Sequence, residues 1–187
     1  MTPRTDSRQR FIDAAADLFH TQGYHATGLN QLVSAGGAPK GSLYFHFPGG
    51  KEQLAAEALG QSSRQLREIL AAALEHGDID AVFDRLASTL IDSGFERGCP
   101  LASVALDAAD SEPIRTACAD GFESWRGTLA EYLRVKGVAA DRVDPLSTVA
   151  LALFEGALLL AKTNRDIEPL RAVADHFRTI LDQETSR

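Results

Sequence analysis

The chain has 187 residues, of which 44% are hydrophobic and 24% charged, and its formal net charge is -7 at pH 7. This composition excludes an intrinsically disordered chain, and the length predicts one small domain and one larger helical domain. The acidic balance argues against a protein that binds nucleic acid over its whole surface. The N-terminus lacks the apolar core of a secretory signal, and the longest apolar run, near 151–161, is too short to span a bilayer. We therefore expect a cytoplasmic protein without a membrane contact.

The first predicted helix begins after a cap at Ser7 and ends at Gly23. Its apolar residues recur in steps of three and four, which places them on one helix face: Phe11, Ala14, Ala15, Leu18 and Phe19. Residues 2–6 are predicted to form a loose arm. Arg4 in this arm is either a phosphate or minor-groove contact or part of a frayed terminus.

A second helix is predicted after Thr27, with Leu29, Leu32 and Val33 on its buried face. Residues 35–37, Ala-Gly-Gly, end this helix and form a turn. Thr27 stands where a helix cap belongs, and the start of a helix can also present its amides to a DNA phosphate. Capping, a phosphate contact and a combination of both remain open for Thr27.

The third helix is short, and Pro39 falls in its first turn. On a helical wheel Leu43 and Phe47 point to one side, whereas Gly41 and Phe45 point the opposite way. Lys40, Ser42, Tyr44 and His46 flank the second pair. A cation, hydroxyls, aromatic rings and an accessible glycine suit phosphates, base edges and thymine methyls. The alternative is a buried helix in which the aromatic side chains form a core.

Two helices joined by a glycine turn predict a helix-turn-helix, which places one helix in the DNA major groove. Residues 1–60 contain five Lys or Arg and five Asp or Glu, so the acidic excess lies after residue 60. Six further helices are predicted, beginning near 51, 79, 100, 112, 145 and 168, with a break at 77–78. The expected fold is all-α with about nine helices.

The sequence offers no catalytic constellation, metal cluster or cofactor motif. No Ser-His-Asp spacing or phosphate-binding glycine loop is present, and the five histidines have no zinc-ligand spacing with Cys99 or Cys118. We therefore expect no enzyme activity, no metal and no cofactor. The two cysteines are expected to be thiols, with a redox switch between them as the minor alternative.

Apolar side chains from residue 83 onward could line a cavity for a small apolar or aromatic molecule. Core packing is the competing interpretation for Phe122 and Trp125. For Cys99 the competing interpretation is a small residue at the start of a helix. Glu155, the charged residue in the apolar run, is either a polar contact for such a molecule, a dimer contact or a partly exposed carboxylate. The candidate lining residues are Phe83, Leu86, Leu90, Cys99, Val104, Phe122, Trp125, Leu129, Leu151, Phe154 and Glu155.

The helix from 146 to 161 is apolar on nearly every side, and such a helix needs neighbours all round. A second copy of the chain would supply the missing neighbour, and the last helix has the three-four spacing of a coiled-coil seam. We therefore predict a homodimer. The predicted dimer residues are Leu153, Ala157, Leu160, Leu170, Val173, Phe177 and Ile180.

The chain resembles the TetR family of bacterial transcriptional regulators. The resemblance rests on AAADLFHTQGYHATGLNQLV, the Gly-Gly turn, APKGSLYFHF and a Lys-Glu-x-Leu helix start. HFPGGKEQL and GCPLASVALDAA resemble the LmrA/YxaF-type subgroup. The sequence departs from the common pattern by Phe45 in place of Tyr and by three residues instead of two between Phe47 and Lys51.

This resemblance implies a helix-turn-helix domain at residues 1–50 and a regulatory and dimerisation domain at 51–187. It also implies a repressor released from double-stranded operator DNA by a small-molecule effector. The alternatives are a helical protein-interaction adaptor and a ligand-independent regulator. The implied DNA contacts are Thr27, Lys40, Gly41, Ser42, Tyr44, Phe45, His46 and Lys51.

Overall fold

The computed structural model describes residues 4–75, 79–108 and 110–186, with side chains from Ser7 onward. Over these ranges the fold is all-α, with nine helices and no strand, so the predicted fold class is confirmed. The helices are α1 (Arg4–Gln22), α2 (Leu29–Gly36), α3 (Lys40–His46), α4 (Gly50–Glu75), α5 (Ile79–Asp92), α6 (Pro100–Asp107), α7 (Glu112–Val135), α8 (Ala140–Asn164) and α9 (Glu168–Thr185).

Two predicted helix starts were wrong. Helix α1 begins at Arg4, so residues 4–6 are helical and do not form a loose arm, while residues 2 and 3 lie outside the described part. Helix α8 begins at Ala140, which places Pro145 inside it. Proline is tolerated there because its missing N–H leaves only the carbonyl of exposed Asp141 without its helical donor. The predicted break at 77–78 lies outside the described residues.

The packing divides the chain into two compact units. The first unit consists of the described residues up to Arg64 and of those in Pro100–Gly121. The second unit consists of the described residues in Gln65–Cys99 and of those from Phe122 onward. Helices α4 and α7 each contribute residues to both units. The predicted functional boundary at residue 50 stays a prediction.

Helix α1 is the centre of the first unit and packs against α2, α3 and α6. Phe11 of α1 is fully buried and meets the ring of Phe47 edge-on, with 6.3 Å between ring centroids. A Cβ atom at Gly36 would lie 2.3 Å from Cδ1 of Phe11. Only glycine therefore permits this approach between α1 and α2.

In the second unit α8 packs against α9 and α5. Three buried aromatic rings join these helices: Phe154 lies 4.8 Å from Phe83 and 6.2 Å from Phe177, centroid to centroid. Helix α8 is long and apolar enough to cross a membrane by length and composition, a criterion that the core helices of soluble proteins also meet. Phe154 and Ala161 of this helix are buried within the unit, whereas Leu159 and Leu160 are exposed.

Candidate functional site

Helix α3 has one buried side and one exposed side. Leu43 and Phe47 are 0% exposed, whereas Phe45 is 63% and Tyr44 45% exposed. Lys40 and Gly41 are exposed as well, and a Cβ atom on Gly41 would meet nothing within 4 Å. The predicted orientation is confirmed, and the alternative with Tyr44 and Phe45 in a core is wrong. We call Lys40, Gly41, Tyr44 and Phe45 the α3 outer face.

His46 and Ser42 lie at the edge of this face and are half-buried. The Nε2 atom of His46 is hydrogen-bonded to Oγ of Ser7 at 2.9 Å, which ties the end of α3 to α1. The His46 ring also stands edge-on to Phe45, with 5.2 Å between centroids. His46 therefore orients the exposed Phe45 ring from within the protein.

Thr27 is buried in the loop that precedes α2. Its side chain is 0% exposed, and its Oγ1 donates hydrogen bonds to the carbonyl oxygens of Gly23 at 2.8 Å and Leu18 at 3.5 Å. The cap of α2 is Gly28, without a side-chain hydrogen bond. The predicted capping role of Thr27 is wrong, because its hydroxyl is used inside the loop that precedes α2. A phosphate contact at Thr27 stays a prediction.

Lys51 is half-buried and engaged within the protein. Its Nζ donates a hydrogen bond to the carbonyl oxygen of Tyr24 at 2.6 Å and lies 4.0 Å from the centroid of the Tyr24 ring. Burial lowers the pKa of Lys51, and the charge of Asp107 opposes this effect. Burial also raises the pKa of Tyr24, with smaller contributions from Glu52 and Asp110. A phosphate contact of Lys51 stays a prediction.

Asp107 is a residue of this region that the sequence did not reveal. Its Oδ2 accepts a hydrogen bond from the backbone amide of His25 at 2.6 Å. The two residues are 82 positions apart, so no local pattern could have indicated the pair.

The predicted effector residues are not all brought together. Val104 belongs to the first unit and the remainder to the second. There Phe122 and Trp125 meet edge-on at 5.6 Å, while Phe83 and Phe154 pack in the core. Leu90 and Leu129 are buried, and Leu86 and Leu151 are half-buried. A cleft of about 580 Å³ lies in the first unit beside α1 and α4, and none of the predicted residues lines it.

Glu155 carries the clearest polar feature of the second unit. Its Oε2 is fully enclosed and, among the described residues, has no hydrogen-bond partner. Burial raises the pKa of Glu155, and a hydrogen bond with Cys99 acts in the opposite direction. A buried carboxyl oxygen without a partner favours a ligand that brings a hydrogen-bond donor.

Both cysteines are buried thiols that are not joined in a disulfide bond. The thiol of Cys118 donates to the carbonyl oxygen of Leu101 at 3.8 Å, and burial raises its pKa to about 11. A thiol with so high a pKa is a poor nucleophile at neutral pH. In the part of the chain that the structure describes, no group of three or more His, Cys, Asp or Glu could hold a metal.

Three predicted dimer residues need correction. Ala157, Leu170 and Phe177 are buried inside their own subunit, so they hold α8 and α9 together and offer no side chain to a partner. Leu160 is 54% exposed. Leu153, Val173 and Ile180 are half-buried.

The exposed apolar surface of α8 contains residues that the sequence analysis did not select. Val149, Ala152, Gly156 and Leu159 are exposed together with Leu160, at the three-four spacing of one helix face. A Cβ atom on Gly156 would meet nothing within 4 Å. We call these five residues the α8 stripe. Apolar patches of this kind mark contact sites.

Two family models match the chain. The model of bacterial regulatory proteins of the tetR family matches residues 11–58. The model of the LmrA/YxaF-like C-terminal domain of transcriptional regulators matches residues 76–176. The first covers the helix-turn-helix and the second covers most of α5–α9.

Curated relatives are similar over almost the whole length. The uncharacterized HTH-type transcriptional regulator YxaF of Bacillus subtilis is 36% identical over 97% of this chain and 98% of that protein. The HTH-type transcriptional regulator LmrA of the same organism is 39% identical over 94% of this chain and 97% of LmrA. Both names describe regulators, which confirms the prediction of a regulator instead of an enzyme.

A third relative is the HTH-type transcriptional repressor NemR of Escherichia coli, 26% identical over 94% of each chain. The crystal structure of its reduced form aligns with a TM-score of 0.79 over 94% of this chain and 97% of that one, at 24% identity. At this identity the structural likeness supports the fold.

Proposed function

Because this chain belongs to the TetR family of bacterial regulatory proteins, with an LmrA/YxaF-like C-terminal domain, we propose that it is a repressor released by a small molecule. It is a DNA-binding transcriptional regulator. In our proposal two copies occupy a two-fold operator in the cytoplasm. An apolar or aromatic effector with a hydrogen-bond donor then binds the second unit and lowers operator affinity.

The observation that carries this proposal is the division of α3 between core and solvent. The buried side chains of Leu43 and Phe47 anchor α3 in the core, so the α3 outer face is held in a fixed orientation towards solvent. The ammonium of Lys40 suits a phosphate, and the Phe45 ring suits a thymine methyl. Gly41 leaves room for the DNA backbone to approach.

The α8 stripe supports the dimer. Its exposed apolar side chains would be covered by the same stripe of a second copy, since a two-fold interface joins identical patches. Two helix-turn-helix units then read half-sites about 34 Å apart or a related spacing. Pairing matters because one small unit buries little DNA surface.

Glu155 supports the effector. An incoming donor would satisfy its enclosed Oε2, while aromatic rings of the second unit such as Phe122 and Trp125 would contact an apolar skeleton. To release DNA, the effector must favour the DNA-free state by about 1–3 kcal/mol or more.

Replacing Phe45 tests the function. A duplex selected from random-sequence DNA by the unaltered protein serves as operator, and fluorescence anisotropy gives the Kd. Phe45→Ala should weaken binding by about tenfold or more, because an apolar base contact is lost. Lys40→Ala should lower the slope of log K against log salt by about one. The matched control is Ile91→Ala, which truncates an exposed apolar side chain on α5.

Unchanged affinity and salt slope in both α3 variants would instead support a protein-interaction adaptor. Adding a panel of aromatic compounds to the preformed complex tests the effector in the same assay. If none of them releases the duplex, a ligand-independent regulator is the better description.

A further inference from the structure

The loop between α1 and α2 is fixed from several sides. Within the loop, Thr27 Oγ1 donates to the carbonyl oxygen of Gly23 at 2.8 Å. From the first turn of α4, Lys51 Nζ donates to the carbonyl oxygen of Tyr24 at 2.6 Å. Helix α2 begins at Leu29, directly after this loop, so the path of the loop sets the start of the helix-turn-helix.

A further contact comes from α6. Asp107, the last residue of that helix, accepts a hydrogen bond from the His25 amide through Oδ2 at 2.6 Å. Bonds to an ionised acceptor are shorter and stronger than bonds between neutral groups. Because its donor is a backbone amide, this hydrogen bond fixes the chain itself and not only a side chain.

Gly23 shows how closely Asp107 approaches the loop. Its φ is +82°, which favours glycine, and a Cβ atom there would lie 3.2 Å from Oδ2 of Asp107. The carboxylate thus lies against the loop backbone at Gly23 and His25. It also lies close enough to Lys51 to influence that ammonium electrostatically. Lys51 and Asp107, on two different helices, therefore hold the carbonyl oxygen and the N–H of one peptide group, the one that joins Tyr24 to His25.

We propose that Asp107 is a positioning residue for operator binding. By holding the His25 amide it sets where α2 begins, and through α2 it sets the α3 outer face relative to the half-site. This inference rests on the proposed operator-binding function and assigns a role to a residue outside the matched helix-turn-helix, residues 11–58. If the contact only stabilised the fold, removing it would lower the stability and leave the preference for a particular half-site spacing unchanged.

The test compares Asp107→Ala with Asp107→Asn. Alanine removes the acceptor, whereas asparagine retains an oxygen that can accept from the His25 amide. The control is Asp120→Asn, the same charge change at an exposed residue of α7. Each full-length variant is titrated with the selected operator and with a duplex whose half-sites are one base pair further apart. Thermal unfolding is measured in parallel.

A positioning role predicts that Asp107→Ala loses about tenfold in affinity for the selected operator and much of its preference over the lengthened duplex. Asp107→Asn should retain both within about twofold. If Asp107→Ala does not fold, Asp107→Glu decides: a longer side chain that displaces the loop should relax the spacing preference.

Normal affinity and spacing preference in Asp107→Ala, with only a lower Tm, would overturn the proposal. An equal loss in Asp107→Asn would overturn it too, because the hydrogen bond would then not be the cause. If the unaltered protein selects no duplex at all, the proposed function itself fails, and this inference fails with it.

Discussion

At the scale of single residues, the loop before α2 depends on polar side-chain atoms that are hydrogen-bonded within the protein. The Thr27 hydroxyl is enclosed and occupied by the carbonyl oxygen of Gly23. The Lys51 ammonium is held by the carbonyl oxygen of Tyr24. Both donors thus have a partner inside the protein, as a buried donor requires. The phosphate contacts that family resemblance implied for these two residues stay predictions.

Substituting Thr27 distinguishes a structural role of its hydroxyl from a contact with DNA. Thr27→Val removes the donor and leaves the Gly23 carbonyl without it, which should lower the free energy of unfolding by about 1 kcal/mol. Thr27→Ser should behave like the unaltered protein in urea unfolding. Operator affinity, measured where each variant is folded, should stay unchanged. If Thr27→Val is as stable as the unaltered protein but no longer binds the operator, the result would favour a direct contact of Thr27 with a phosphate.

At the scale of elements, α8 combines a buried aromatic side, an enclosed carboxyl oxygen and an exposed apolar stripe. Phe154 packs in the core, while Glu155 next to it keeps Oε2 enclosed without a hydrogen-bond partner among the described residues. Burial disfavours the charged form of this carboxyl, which is why its pKa is raised. The helix therefore carries a cost in stability at the residue that we propose for effector binding.

Glu155→Gln should reveal that cost through its pH dependence. Below the ordinary Glu pKa of 4.5 the carboxyl is protonated in both folded and unfolded chains. As pH rises from 4.5 through the raised folded-state pKa, the unfolded chain releases its proton first, so the unaltered protein loses stability. Relative to it, Glu155→Gln should gain stability towards pH 8 and lose this advantage near pH 4.

Urea unfolding at several pH values measures the difference. Glu96→Gln, at an exposed residue of the loop after α5, makes the same charge change as a control and should show no such gain. A constant difference between Glu155→Gln and the unaltered protein across the range would contradict the burial argument.

At the scale of the whole molecule, the α8 stripe is the surface that decides the assembly. It presents Val149, Leu159 and Leu160 on one side of a helix whose other side is buried. A charge introduced into this stripe leaves an isolated subunit almost unaffected, because the stripe residues are exposed there. In a dimer the same charge would be buried without a partner, which is strongly unfavourable.

Leu160→Lys should therefore convert the dimer into a monomer and weaken operator binding in parallel. Light scattering after size exclusion gives the mass, and circular dichroism checks that the subunit stays folded. The control is Leu106→Lys on α6, where the leucine is 83% exposed and outside the stripe. A Leu160→Lys protein that remains dimeric would assign the interface to another surface.

The local sequence determined the helices, the helix-turn-helix and the orientation of α3. Helical periodicity places Leu43 and Phe47 on one side whatever surrounds the helix, and the structure confirms them as buried. The Gly36-Gly37 turn was equally readable, although its reason, the approach of Phe11 to Gly36, became clear only in the packed structure. These features depend on residues within a few turns of one another.

Tertiary structure alone decided the features that depend on distant residues. Helix α8 has apolar residues on nearly all of its faces, so periodicity could not distinguish buried Ala157 from exposed Gly156 next to it. Packing of α8 against α9 and α5 determines which of its residues are buried. The contact of Asp107 with the His25 amide joins positions 82 apart. A hydrogen bond between such positions leaves no periodic trace in the sequence, because its geometry exists only after the helices have packed.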